Sequence, residues 1–128
     1  MTSAQMIDLV ERYFAGADGE AMDEIKATLH PDCVFTVETH GVRLQGHAEI
    51  EAMFQRLWAD HAAVKHQDFV HVPSPETGRI ASRFQVVNTH HDGTLVHKSN
   101  CNFFEVRDDH FSRVAVYMAG PNTLDVDR

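Results

Sequence analysis

A chain of 128 residues, 43% hydrophobic and 23% charged, has the size and balance of one globular domain, which leaves out fibrous and disordered classes. Nineteen acidic against eleven basic residues give a formal net charge of −8. That field repels phosphate backbones and anionic headgroups, so neither nucleic acid nor a membrane is an expected partner.

The polar opening residues lack the basic and apolar regions of a secretory leader, and no apolar run approaches the ~20 residues a bilayer span needs. A cytoplasmic protein is expected, with Cys33 and Cys101 as free thiols rather than a disulfide. In chain order, positions 5–17 predict an amphipathic helix, because Ile7, Val10, Tyr13, Phe14 and Ala17 fall on one face. Asp18-Gly19 ends it. Met22, Ile25 and Leu29 predict a second, short helix, stopped by His30-Pro31-Asp32. The β-branched and aromatic run at 33–38 predicts a strand. Gly41 and Gly46 punctuate a turn-rich stretch around Val42-Arg43-Leu44, and Ile50, Met53, Phe54, Leu57 and Trp58 form a third helical stripe. Four strand-like segments follow, at 64–72, 79–90, 95–106 and 111–118, separated by Pro73-Ser74-Pro75, Asp92-Gly93 and Arg107-Asp108-Asp109. The order ααβ(β)αββββ predicts one α+β domain with a core at about 6–124, its helices packed on one face of a curved, mostly antiparallel sheet.

Several stretches resemble the nuclear-transport-factor-2-like superfamily, and within it the SnoaL-like and ketosteroid-isomerase-like proteins. They are Leu9-Val10-Glu11-Arg12-Tyr13-Phe14, the join Leu29-His30-Pro31-Asp32-Cys33-Val34-Phe35, Gly46-His47-Ala48-Glu49-Ile50, and the terminal pair Phe103-Phe104-Glu105-Val106 and Phe111-Ser112-Arg113-Val114. The resemblance implies a cystatin-like cone, a sheet wrapped around a pocket and closed by three helices, with a homodimer through the outer sheet face. In ketosteroid isomerase a tyrosine and a protonated aspartic acid bind the developing oxyanion, and an aspartate moves the proton. Carried over position by position, Tyr13 takes the tyrosine's place and Asn102 the protonated acid's; an amide still donates there. Val37 falls at the base position, so the family's carboxylate is missing. Glu38 is adjacent but of opposite strand parity, and only a bulge or a slip would turn it inward.

His66 is the other candidate base, since an imidazole exchanges protons near neutral pH. Regular alternation puts it on one face with Val64, Asp68, Val70 and Val72, and Asp68 could orient it. A bland alternative is a solvated or core histidine. The expected pocket wall is Phe14, Val37, Phe54, Trp58, Phe84, Val86, Asn88, Asn100 and Tyr117, with Ala115 also inward and Lys98 near the rim. Such a wall suits a small hydrophobic molecule carrying a carbonyl or hydroxyl. Despite ten histidines there is no HExxH and no zinc-spaced Cys/His cluster, so neither a metal nor another cofactor is expected. Three functions stay open: a cofactor-independent isomerase, dehydratase or cyclase; a non-catalytic ligand-binding or dimerisation module; and a transport adaptor.

Overall fold

In the computed structural model, which describes residues 1–124, the elements run α1 (Ser3–Asp18), α2 (Met22–Lys26), β1 (Leu29–Val37), β2 (Val42–Gln45), α3 (Gly46–Asp60), β3 (Ala63–Ser74), β4 (Arg79–Thr89), β5 (Leu95–Arg107) and β6 (His110–Tyr117). The six strands form one sheet in the order β2-β1-β6-β5-β4-β3. Only β1 and β6 pair in parallel. Three helices packed on a curved, mostly antiparallel sheet make the α+β cone that the element order predicts.

Local chemistry explains the joints. Thr2 caps α1, its hydroxyl accepting from the Gln5 N–H while the Gln5 side chain accepts from the Thr2 N–H. At Gly16 a Cβ would lie 2.8 Å from Ile25 Cγ1, so the missing side chain lets α2 fold tightly back on α1. The second helix is shorter than predicted, and β1 begins earlier, at Leu29, running through Pro31. Proline has no N–H to give a ladder, and the pairing of β1 with β6 shifts register between Leu29 and Val34. Asp108 and Asp109, both at positive φ (54° and 62°), make the two-residue turn between β5 and β6.

One irregularity decides the pocket. Between Gln67 and Val70 the register of β3 against β4 shifts, and Asp68 sits at φ 56°. This is a β-bulge, which adds a residue and reverses the alternation beyond it. Before it, Val64 and His66 face the core side. After it, Phe69 and His71 do, their rings stacked at 5.5 Å, while Val70 and Val72 turn outward at 48% and 64% exposure. The expectation that Asp68, Val70 and Val72 share the face of His66 is therefore corrected. The core gathers between helices and sheet, with Val10, Ile25, Phe35, Val37, Ile50, Phe104, Phe111 and Val114 fully enclosed. No helix among the described residues is long and apolar enough to cross a membrane.

Candidate functional site

A narrow cavity lies between α1, α3 and the inner sheet face, about 440 Å³ with its open mouth included. Most of that space is the open mouth: the enclosed room is about 30 Å³, well under the roughly 300–1,000 Å³ usual for small-molecule sites, so the side chains that line it must part to admit more than a water-sized group. Tyr13, Phe14 and Ala17 line it from α1, and Phe54 and Leu57 from α3. The sheet contributes Val64 and His66 from β3, Phe84, Val86 and Asn88 from β4, Asn100 and Asn102 from β5, and Val116 from β6. Cross-strand pairing puts Phe84 opposite Asn100 and Ser82 opposite Asn102, so the amides and the apolar rungs share the inner face.

On one wall His66 is held by Asp18. The imidazole Nδ1 lies 2.5 Å from Asp18 Oδ1, and the His66 backbone N–H donates to Asp18 Oδ2 at 2.9 Å. Both groups are mostly enclosed, with side chains 12% and 17% exposed. A carboxylate accepts, so Nδ1 carries the proton and Nε2 of the neutral ring is left as a base. Phe14 and Phe84 pack on the ring at 4.6 and 5.3 Å and fix its plane. Asp18 closes α1, where an acid opposes the helix dipole. The His66 contact offsets that, and the neighbouring Ala17 carbonyl accepts from Trp58 Nε1 at 3.0 Å.

The inner sheet face that carries His66 also holds polar groups with little else to bind, Asn88 one strand away and Asn102 two strands away. Asn88 Nδ2 and Asn102 Oδ1 are buried and have no hydrogen-bond partner among the described residues. Such groups are costly to enclose unpaired, and a ligand oxygen or hydroxyl would satisfy them. The ring of Tyr13 is 3% exposed, and burial pushes its phenol far above the usual tyrosine range, so it stays a neutral O–H donor. Asn100 is committed in part: its Oδ1 accepts from the Ala119 N–H at 3.0 Å and pins the C-terminal strap. Thr123 and Leu124 of that strap line the cavity mouth.

Of the residues expected here, Tyr13, Asn102, His66, Phe14, Phe54, Phe84, Val86, Asn88 and Asn100 all border the cavity. Four do not. Glu38 lies past the end of β1 on the outside, 3.3 Å from Arg113. Val37 is wholly buried in the core rather than at the cavity wall. Trp58 packs on Phe54 and spends its N–H on α1. Tyr117 points outward at 46% exposure, because β6 pairs Val116 with the inward Asn102 and Tyr117 with the outer Cys101. Val116 and Met118 take the inner positions, and Ala115, opposite Phe103, belongs to the outer face. Asp18, not Asp68, orients His66. Among the described residues no three His, Cys, Asp or Glu side chains converge as a metal-ligand set.

Residues 10–114 match the profile of the SnoaL-like domain, and the chain belongs to that family. No curated protein matches it. Solved structures of similar shape include a candidate polyketide cyclase from Xanthomonas campestris pv. campestris, 22% identical over 90% of each chain with a TM-score of 0.83. A candidate ketosteroid isomerase from Kribbella flavida is 21% identical over 94% of this chain and 82% of that one, TM-score 0.73. TerC, co-crystallized with polyporic acid, is 17% identical over 90% and 92%, TM-score 0.76. At these identities the likeness is one of fold, and fold alone does not fix an activity.

Proposed function

We propose that the protein is a cofactor-independent enzyme that moves a proton on a small hydrophobic carbonyl or hydroxyl compound, in the manner of an isomerase, dehydratase or cyclase. The observation that carries this reading is the Asp18–His66 pair at the wall of a cavity whose sheet face also holds unpaired amides. Nε2 of His66 takes a proton from carbon beside the ligand's carbonyl. Tyr13 and the amide of Asn102 donate to the oxygen on which charge accumulates, and the imidazolium returns the proton elsewhere. Asp18 accepts from Nδ1 throughout and steadies the imidazolium. The family aspartate missing at Val37 is thus replaced by a histidine on β3. The similar folds of a candidate cyclase, a candidate isomerase and a protein holding polyporic acid support a small-molecule site.

Incubation with a panel of cyclic enones and hydroxy ketones in deuterated water tests it. Deuterium should enter beside the carbonyl, slowed 100-fold or more in His66→Asn and also in Tyr13→Phe. Exchange no faster than in buffer, with His66→Asn the same as wild type, leaves only the non-catalytic binding module.

The protein acts as a homodimer through its outer sheet face. There Val72, Ala81, Phe103 and Ala115 are in register across four strands, beside Val70, Cys101 and Tyr117. Phe103 and Tyr117 are 38% and 46% exposed, large apolar groups that a partner would cover. Light scattering should give twice the chain mass, reduced to one chain in Phe103→Lys/Val72→Lys.

A further inference from the structure

Asn88 is the polar member of an otherwise apolar patch. On the inner sheet face it is in register with Val64 of β3 and Val96 of β5, and Val86 is the next inner-face residue on its own strand. Its side chain borders the cavity at 2% exposure, and its Nδ2 has no hydrogen-bond partner among the described residues. A fourth valine, or a leucine, would pack better there, and an amide donor left unpaired among them is costly. Asn102, already placed on the ligand's reacting oxygen, lies far off. It is opposite Ser82, six residues along β4 from Asn88, about 20 Å at strand spacing. His66 stands between the two amides. It is opposite Val86, one inner-face step from Asn88, so His66 and Asn88 are diagonal neighbours roughly 7–8 Å apart. Val96 also lines a hollow outside the cavity, and Thr123 borders both spaces, which puts Asn88 toward the mouth.

We propose that Asn88 is a subsite for a second oxygen of the ligand, so that the molecule this cavity takes is an apolar body with an oxygen at each end. The inference rests on the reading of the cavity as a small-molecule site and names the class of molecule it takes. One oxygen meets Tyr13 and Asn102 at the inner end. The other accepts from Asn88 Nδ2 toward the mouth, and the carbon that His66 reaches lies between them. A carbonyl suits Asn88 best: the unpaired atom is a donor, and a carbonyl oxygen accepts without bringing a proton of its own that the valines cannot accept. Spacing sets the length. A side chain and its hydrogen bond take up about 5 Å at each end, which leaves about 10 Å between the two oxygens, the length of two or three fused rings. Asn88 is then a specificity-determining residue, which selects ligands with the second oxygen and takes no part in the proton transfer.

The test compares 6-acetyl-2-naphthol with 6-isopropenyl-2-naphthol, the same shape with a methylene in place of the ketone oxygen, by calorimetry at pH 7. Wild type should bind the ketone roughly tenfold tighter. In Asn88→Leu that preference should vanish through weaker ketone binding, while the alkene binds as well or better. Asn88→Val, a smaller side chain, gives the same readout where leucine overfills the site. Asn102→Leu should weaken both compounds alike, since both keep the hydroxyl. Equal affinities in wild type, as when a trapped water serves Nδ2, overturn the second-oxygen subsite alone. So does a ketone preference that survives loss of the Asn88 amide, or one lost in Asn102→Leu instead. Binding of neither compound to wild type overturns it together with the small-molecule reading of the cavity.

Discussion

The two ends of the cone are built to opposite ends. At the closed end the ring of Tyr13 meets Phe14, Phe54, Phe104 and Phe111 edge-on, with centroids 5.0 to 6.1 Å apart. Phe104 and Phe111 stack at 4.5 Å with no exposed surface. These contacts favour packing and ask nothing of a ligand. At the open end the inner sheet face presents two amides with an unpaired atom each, and α1 brings an acid to its own C-terminal end beside His66. A wall selected for stability alone would hold leucines there, since each unsatisfied buried group costs about 1–3 kcal/mol. Ring packing dominates at one end of the molecule and unsatisfied polar groups gather at the other, with Tyr13 belonging to both.

That contrast can be broken from either end. Phe104→Ala should have the largest effect, a loss of about 3–5 kcal/mol by urea unfolding, because it empties the aromatic floor. A loss under 1 kcal/mol would mean the floor is not a packed unit. Asp18→Asn comes next: kcat should fall tenfold or more with KM within twofold, and nitrogen NMR should show His66 losing its fixed Nδ1–H form. A variant that only loosened the fold would lower the melting temperature without redistributing that proton. Asn102→Leu should do the reverse of Phe104→Ala, weakening ligand binding while leaving stability unchanged or up to about 1 kcal/mol higher, since an orphaned polar group is removed. The smallest effect lies with the thiols. Burial pushes the Cys33 thiol up to about 12, so at pH 8 a thiol reagent should titrate only half-buried Cys101 in the native protein and both after unfolding. The sign for stability follows. The unfolded thiol ionises near 9.0 while the native one holds its proton to about 12, so this contribution is complete below pH 9 and fades as pH rises through that window.

How much of this was legible depended on whether the chain kept its alternation. Strands β4 and β5 pair without a register break from Arg79 to Thr89, and every residue assigned to the cavity from them, Phe84, Val86, Asn88, Asn100 and Asn102, borders it. In β3 the extra residue at Asp68 inverted everything downstream. Asp tolerates positive φ, but nothing in the local sequence demands a bulge there. In β6 the face was settled by pairing with β5 rather than by composition, which is why Tyr117 and Val116 exchange roles. Glu38 was close to the right place in sequence and beyond the strand in space. The largest omission was Asp18, 48 residues from its histidine. Its one local signal was an acid in the last turn of a helix, which reads as a simple helix stop until the partner is seen.

The C-terminal strap has a practical consequence. Gly120, at φ +68°, turns the chain off β6, Asn100 and Lys98 hold Ala119 and Pro121, and Leu124 ends up in the cavity wall. The strap thus ties the geometry of the cavity mouth to the end of β6, and Gly120→Val, strained at its left-handed turn, should disturb both at once.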